Sequence, residues 1–227
     1  MVRSFPKIDR HRRRVLEPAP ISDNTGPRNI LVPEHALVIS LARSGRIEAF
    51  NRTNNFNGIT EVIDAVDGEM IQDPLKVPSM NYGALGCLRS HRIALEYAKA
   101  KGWEMVLIFE DDAQPVEGFN EKLEEVMKEL PEDWDMLWLG GKDNTPPAPY
   151  TERLKQLTGS WGTYGIIIRN TVYNFFIEQF KEEHQSSDEY YRRNHLKFKS
   201  FRTSVDLVLH TGEVSEIMKV IQQTTKR

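Results

Sequence analysis

The sequence has little cysteine, no long apolar stretch and little net charge. A single cysteine, Cys87, excludes an intrachain disulfide and suits a reducing compartment, so we predict a cytoplasmic protein. No apolar run approaches the roughly 20 residues that cross a bilayer. The basic N-terminus is not followed by the apolar core of a secretory signal. The formal net charge of −3 argues against a general nucleic-acid binder.

The charge is nevertheless unevenly distributed along the chain. Residues 1–20 carry six Lys or Arg against two acids, and residues 1–34 hold five prolines. This composition predicts a flexible or loosely docked leader over residues 1–34 and one domain over residues 35–227. The leader is either a solvated tail or a peripheral contact for phosphates, acidic glycans or anionic lipid.

After residue 35, apolar strands alternate with helices. Strands are predicted for HALVIS, GITEVIDAVDG, MVLIF, WDMLWLGG and GTYGIIIRN. Helices are predicted for SGRIEAFNRTNN, GALGCLRSHRIALEYAKAKG, FNEKLEEVMKEL and TVYNFFIEQFKEE. In the second of these helices Leu88, His91 and Leu95 fall on one apolar face. The alternation predicts an α/β domain with a largely parallel sheet flanked by helices.

A cluster of acids follows the buried strand MVLIF. Glu110, Asp111 and Asp112 come directly after it, and ligands of open α/β sheets bind beyond the carboxyl ends of the strands. Three adjacent carboxylates repel one another, and nothing nearby in sequence relieves the repulsion. A hard cation such as Mg²⁺ or Mn²⁺ would relieve it. The cluster therefore predicts a metal site for a nucleotide, with a merely solvated acidic loop as the alternative.

The stretch from Gly83 to Ala113 resembles glycosyltransferase family twenty-five. The family includes bacterial lipooligosaccharide galactosyltransferases and collagen hydroxylysine galactosyltransferases. Its pattern is matched here by Gly83, Gly86, Cys87, Ser90, His91 and Glu110-Asp111-Asp112. Weaker resemblances extend from residue 35 to the end of the chain, among them VISLARSGR near the start and SVDLVL near the end.

The resemblance implies a GT-A-like fold with a Rossmann-like nucleotide-binding half. It also implies a UDP-sugar donor, a divalent metal (Mn²⁺ or Mg²⁺) and transfer of a hexose, galactose or glucose, to a glycan or other hydroxyl acceptor with inversion. Relatives often continue into a Ser-Asp-Ile segment beyond the last residues seen here, so we expect a domain that is truncated at its C-terminus. Gly165 stands where relatives often carry an aromatic residue or alanine, which would reshape the acceptor side.

The resemblance places the acid cluster where such glycosyltransferases carry their metal motif, and His210, four residues after Asp206, is a further candidate. We predict Asp112 as a direct ligand, with Asp111 or Glu110 assisting. Glu110 is expected near the ribose or a metal-bound water. His210 is expected to complete the metal shell or to share a site with Asp206. His91, on the apolar helix face, is expected to be a packed core residue.

The donor and the acceptor are assigned to other residues. Arg43 and Arg46 follow a strand end and are predicted to reach the donor phosphate or base; a solvated turn is the alternative. Asp67, at the end of the second strand, is placed on the donor side. Asp206 is predicted to be the general base, because it is a lone acid inside the apolar run SVDLVL. A helix cap or a paired core acid is the alternative for Asp206.

Two functions outside this family remain open at the level of sequence. One is a different metal-dependent nucleotide enzyme such as a nucleotidyltransferase, for which SLARSGR is a poor version of the expected Gly-rich loop. The other is a non-catalytic domain of the same fold that binds a glycan or a partner through the basic leader.

Overall fold

A computed structural model describes residues 31–211 of the chain, which form an eight-stranded sheet covered by helices on both faces. All but the last four residues of the predicted leader lie outside the described residues. The segment in which we expected a C-terminal truncation lies outside them too. None of the helices in the described part is long and apolar enough to cross a membrane.

The described residues contain twelve strands and five α-helices. The strands are β1 His35–Ser40, β2 Ile59–Asp64, β3 Met105–Glu110, β4 Ala113–Pro115, β5 Met136–Trp138, β6 Lys142–Asp143, β7 Ala148–Pro149, β8 Leu154–Gln156, β9 Ser160–Trp161, β10 Gly165–Arg169, β11 Ser200–Thr203 and β12 Val208–His210. The α-helices are α1 Ile47–Thr53, α2 Tyr82–Ala100, α3 Phe119–Glu129, α4 Asn170–Phe180 and α5 Ser187–Asn194. Short 3₁₀ turns follow β1 at Ala42–Ser44 and β2 at Gly68–Met70.

The central sheet is mixed, with the order β2-β1-β3-β10-β5-β11-β8-β7. Strands β2, β1 and β3 pair in parallel and form the Rossmann-like half that was predicted. Strand β10 runs antiparallel to both β3 and β5, and β5 pairs in parallel with β11. The α/β class is confirmed, but the sheet is parallel only in part. Because β10 is reversed, the residues before it lie at the carboxyl end of β3.

The two faces of the sheet bury separate hydrophobic clusters. In β3, Val106 and Ile108 point into the cluster under α2, α4 and α5, whereas Leu107 and Phe109 point into the cluster under α1 and α3. All four side chains are fully buried. A strand covered on both faces reads as a continuous apolar run, which is why MVLIF shows no alternation.

Helix α2 is fixed against the loop that follows β2. Its N-cap, Asn81, accepts a hydrogen bond from the Ala84 backbone N–H at 2.8 Å. A Cβ on Gly86 would come within 2.4 Å of the Val66 carbonyl oxygen, so only glycine permits this approach. The first turns of α2 therefore lie beside the carboxyl ends of β1 and β3.

Candidate active site

The acid cluster lies at the carboxyl end of β3, next to β1. The chain leaves β1 towards β2 on one side of the sheet and leaves β3 towards β5 on the other side. Within the cluster, Asp111 is held by three groups from the segment at the end of β1. Its Oδ2 accepts hydrogen bonds from the hydroxyls of Ser40, at 2.9 Å, and Ser44, at 3.0 Å. Its Oδ1 lies 2.8 Å from Nη2 of Arg46. The repulsion expected from the sequence is thus relieved in part by residues distant along the chain.

Asp112 has a much poorer set of partners. Its Oδ2 lies 3.3 Å from His210 Nε2 and 3.5 Å from Arg46 Nη1. Its Oδ1 is buried and has no hydrogen-bond partner among residues 31–211. Burial and the charge of Glu110 raise the pKa of Asp112 to about 6. A buried oxygen without a donor, next to other carboxylates, fits a bound cation.

His210 reaches this site through a short two-stranded ladder. Strand β12 pairs antiparallel with β4, which places His210 opposite Ala113 and next to Asp112. The ring of Tyr164 meets that of His210 edge-on at a centroid distance of 5.6 Å. The structure therefore brings together Asp112 and the histidine predicted to share its metal. Ligation of a metal by His210 stays a prediction.

Glu110 is oriented by residues from two other elements. Thr163 donates a hydrogen bond of 2.6 Å to Glu110 Oε1, and His91 Nε2 lies 3.5 Å from the same oxygen. Burial raises the pKa of Glu110, but His91 and the Thr163 hydroxyl outweigh this, so the pKa lies below its ordinary value. His91 is fully buried, as expected of a core residue, yet it also contacts the acid cluster.

A second group of potential metal ligands adjoins the first. The ligand atoms of Cys87, His91 and Glu110 all lie within 4.8 Å of one another. Burial and the charge of Glu110 raise the pKa of the Cys87 thiol well above its ordinary value, so the metal-free thiol is protonated. Glu110 thus belongs to both groups of potential ligands. Cys87, which the sequence suggested is a packing residue, is also in position to be a metal ligand.

The residues predicted for the donor side pair with one another. Arg43 Nε lies 2.6 Å from Asp67 Oδ2, and its Nη2 lies 3.1 Å from Asp67 Oδ1. This pair joins the loops after β1 and β2, and the hydrogen bond from Arg43 lowers the pKa of Asp67. Arg43 and Arg46 line a cavity of about 80 Å³ together with the acid cluster. That volume is far below the roughly 300–1,000 Å³ of a typical ligand pocket, so a nucleotide sugar must extend beyond it.

The remaining motif residues shape this cavity. Ser90 donates a hydrogen bond of 2.7 Å to the Gly86 carbonyl oxygen and accepts one of 2.8 Å from the Val66 N–H. Gly83, Cys87 and Ser90 all line the cavity. The Gly-x-x-Gly-Cys-x-x-Ser-His pattern therefore sets the position of α2 against the loop after β2.

Asp206 lies outside this constellation. Its Oδ1 accepts a hydrogen bond of 2.7 Å from Arg202 Nη2, and the other terminal nitrogen of Arg202 lies 2.7 Å from Asp143. Asp206 lines a different cavity, of about 540 Å³, together with Val116 and Val205. It is thus a paired acid, the alternative that the sequence left open, and its role as a general base stays a prediction.

Asp188 is a carboxylate beside the site that the sequence reasoning missed. It stands in the first turn of α5, and its Oδ1 accepts a hydrogen bond of 3.1 Å from the Gly162 N–H. Burial and the charge of Glu110 raise the pKa of Asp188. A sequence signal was present, since Ser186 and Glu189 have the spacing of a capping box at a helix start.

Comparison with known proteins identifies the family. Residues 34–191 match the sequence profile of "Glycosyltransferase family 25 (LPS biosynthesis protein)", well over half of the chain. The chain belongs to glycosyltransferase family 25. The matched residues include the acid cluster and Asp188 but end before Asp206 and His210.

Its relatives in family 25 include proteins described as inactive. The chain is 30% identical over 134 residues to the "Probable inactive glycosyltransferase 25 family member 3" of Rattus norvegicus, a match of 50% of this chain and 23% of that protein. It is 33% identical over 104 residues to the human "Inactive glycosyltransferase 25 family member 3", a match of 37% of this chain and 18% of that protein. The chain thus spans less than a quarter of the length of these relatives.

Among solved structures, this family 25 domain is similar to several proteins at low identity. One is a "glycosyltransferase involved in the glycosylation of the major capsid of PBCV-1", with a TM-score of 0.44 and 11% identity over 83% of this chain and 99% of that one. The GT-A-like fold implied by the resemblance agrees with the parallel β2-β1-β3 half and the acid cluster at its edge.

Proposed function

We propose that the chain is a metal-dependent hexosyltransferase that uses a UDP-sugar and a hydroxyl acceptor, with inversion. The observation that carries the proposal is Asp112 Oδ1, a buried oxygen without a hydrogen-bond donor in the described part of the chain. The other oxygen of this carboxylate lies 3.3 Å from His210 Nε2, and Asp112 lines the same cavity as Glu110, Arg43 and Arg46. That combination of groups suits a cation together with a diphosphate.

The metal would be held by Asp112, with Glu110 and His210 as further ligands. Oxygen and imidazole ligands suit Mn²⁺, and Mg²⁺ is the alternative. When bound, such a cation neutralises the charge that develops on a departing diphosphate. Asp111 is already bound by two hydroxyls and Arg46, so we assign it the positioning of that arginine.

The chain's own residues bind and orient the donor. Arg46 supports both aspartates, and Arg43 and Asp67 fix the two loops that border the cavity. Thr163 holds Glu110 in one orientation. These contacts preorganise the site before a donor arrives, which lowers the cost of binding it.

The acceptor hydroxyl must lose its proton to a base opposite the leaving group. The sequence favours Asp206 for this role, and the geometry favours Asp188. Asp188 lies close to the acid cluster, because Gly162 donates a hydrogen bond to Asp188 and the next residue, Thr163, donates one to Glu110.

We further propose a cytoplasmic location, which the single cysteine supports. The basic leader would provide a peripheral contact there.

A non-catalytic role is the second candidate, and the names of the relatives favour it. A domain that binds a nucleotide sugar or a glycan without transfer would keep the fold and the cavity. It would bind UDP and metal without releasing UDP from a UDP-sugar. A nucleotidyltransferase would instead release pyrophosphate from a nucleoside triphosphate.

Calorimetry with UDP tests the proposal. We expect binding heat with Mn²⁺ or Mg²⁺ and none in EDTA. Asp112→Asn should abolish the metal-dependent heat, and Glu124→Gln, which removes an exposed carboxylate on α3, should leave it unchanged. Equal binding with and without metal would refute the metal assignment. Release of UDP from UDP-galactose or UDP-glucose would then distinguish an enzyme from a binding domain.

A further inference from the structure

A separate groove of about 570 Å³ is lined by none of the residues assigned to the donor. It lies against the starts of α2 and α5. The residues that line it include Met80, Ala84, Trp161, Gln185, Asp188 and Arg193. The groove therefore combines an apolar floor, one large aromatic ring, an amide and charged groups.

Trp161 is the unusual member of this groove. Its exposed fraction is 44%, whereas Trp134 and Trp138 are buried and Trp103 stacks on the ring of His35 at 4.1 Å. An exposed tryptophan beside polar groups is typical of a binding surface, because its ring presents a large apolar face at little cost in conformational entropy. A pyranose ring has the matching chemistry, with an apolar C–H face and hydroxyls at its edge.

Three consecutive residues connect the groove to the acid cluster. The side chain of Trp161 lines the groove, the N–H of Gly162 bonds to Asp188 at 3.1 Å, and the hydroxyl of Thr163 bonds to Glu110 at 2.6 Å. The backbone here is tightly constrained. Gly162 has a φ of 99°, and a Cβ on Gly141 would come within 2.6 Å of the Trp161 carbonyl oxygen. The backbone that carries the aromatic ring is therefore held at a constant position relative to Glu110.

We propose that this groove is the acceptor site and that the acceptor is a saccharide whose pyranose ring stacks on Trp161. The inference rests on the proposed transferase function. An acceptor hydroxyl gives its proton to the Asp188 carboxylate, and its oxygen forms a bond to the anomeric carbon of the donor hexose. The bond from that carbon to the diphosphate oxygen breaks, and UDP leaves with the electron pair. Charges and atoms balance without a further reactant.

The cavity beside Asp206 is the competing location for an acceptor. None of the described residues that line it is aromatic, and its most exposed apolar side chain is Val205. A saccharide bound there would not meet a stacking surface. Val205 therefore offers a matched control for Trp161, since both are exposed apolar residues at the rim of a cavity.

The test uses the full chain and a panel of methyl pyranosides of galactose, glucose, mannose and xylose in both anomeric forms. Tryptophan fluorescence is recorded during titration of wild type, and titration calorimetry, which needs no tryptophan in the groove, measures the affinity of wild type, Trp161→Leu, Trp161→Phe and Val205→Arg. We expect at least one glycoside to shift the emission of wild type. We expect Trp161→Leu to weaken binding about tenfold or more, and Trp161→Phe and Val205→Arg to retain it.

The outcomes separate this inference from the proposed function. No shift with any glycoside, an unchanged affinity in Trp161→Leu, or a loss in Val205→Arg would overturn the acceptor site. UDP binding with Mn²⁺, measured by calorimetry, should be equal in wild type and all three variants. If UDP fails to bind while glycoside binding, measured by calorimetry, persists in wild type and is weakened in Trp161→Leu, the transferase proposal fails and the groove is a saccharide site of a binding domain.

Discussion

Nη2 of Arg46 lies 2.8 Å from Oδ1 of Asp111, and this ion pair divides the acid cluster into two kinds of carboxylate. Asp111 is saturated with donors, whereas the neighbouring Asp112 keeps a buried oxygen without one among residues 31–211. Adjacent residues of the same type therefore have different surroundings. Asp111 is bound to residues of the segment after β1, whereas Asp112 keeps an oxygen that a ligand could reach.

Replacing Asp112 with asparagine should stabilise the metal-free protein. A pKa raised from 3.8 to about 6 corresponds to an unfavourable term on the order of 3 kcal/mol in the ionised state, at about 1.36 kcal/mol for each pKa unit. Lost contacts to Arg46 and His210 offset part of this. We expect a rise of about 1–2 kcal/mol, or a melting temperature higher by about 2–8 °C, in calorimetric unfolding at pH 8 in EDTA.

The matched variant, Asp111→Asn, should act in the opposite direction. It removes the closer partner of Arg46, which keeps only the 3.5 Å contact with Asp112. Breaking a buried ion pair costs about 3–5 kcal/mol, and the remaining contact places the expected loss at the lower end of that range. The same unfolding measurement should show a clear drop in melting temperature. Equal shifts of the melting temperature in the two variants would mean that the two carboxylates do not differ in their contribution to stability.

Metal affinity should fall as the pH is lowered through about 6. Asp112 must be ionised to bind a cation, and its raised pKa means that protons compete with the metal from about pH 6 downward. The effect of pH on folding stability has the opposite sign to its effect on metal affinity. A raised carboxyl pKa stabilises the metal-free native state at low pH, and this contribution is lost as the pH rises from about 4 to about 6.

The measurement is UDP calorimetry with Mn²⁺ between about pH 5 and pH 8, compared with metal-free unfolding over the same range. Below about pH 6 the apparent affinity should fall with decreasing pH. In metal-free unfolding, Asp112→Asn should remove the component of the pH dependence that this carboxyl contributes. A metal affinity independent of pH across this range would contradict the assignment of Asp112 as a ligand.

The general base can be identified by two substitutions. We expect Asp188→Asn to lower turnover of UDP-sugar with acceptor by about 10²–10⁴-fold while UDP affinity stays within a few-fold. Asp206→Asn removes one of the two carboxylate partners of Arg202, whose ion pair with Asp143 remains, and should leave turnover close to wild type. Steady-state rates together with UDP calorimetry check both. A large loss in Asp206→Asn alone would return the role of base to Asp206.

Gly86→Ala should destabilise the protein and weaken UDP binding together. The added Cβ would come within 2.4 Å of the Val66 carbonyl oxygen, so α2 must move away from the loop after β2. Overpacking of this kind costs about 1–3 kcal/mol. Lys99→Ala, an exposed change near the other end of α2, is the control. An unchanged melting temperature in Gly86→Ala would show that the loop yields without cost.

The regular elements could be predicted wherever apolar periodicity was long. Strands β1, β2, β3, β5 and β10 and helices α1 to α4 are confirmed. Strands β6 to β9 were missed because they have only two or three residues each and surround a proline-rich loop. The reversal of β10 was not predictable, since an alternation of strands and helices does not state the direction in which a strand enters the sheet.

The sequence predicted the acidic residues of the site but not the residues that bind them. MVLIF ending in three carboxylates located the cluster, but the donors to Asp111 come from residues far away in sequence. Local patterns carry no information about such contacts. Asp188 was missed because HQSSDEYY is polar and its capping signal was not recognised.

The ligands of the proposed metal come from chain segments that are far apart, and this has a consequence for folding. His210 meets Asp112 only after β12 has paired with β4, so the complete set of donors exists only once the late part of the chain has docked. If the proposed function holds, an unfolded or half-folded chain should therefore bind the metal and UDP weakly. Ligands that bind only the native state raise its stability by mass action. The melting temperature in the presence of UDP and Mn²⁺ thus reports the assembly of the whole site, with no need for a known acceptor.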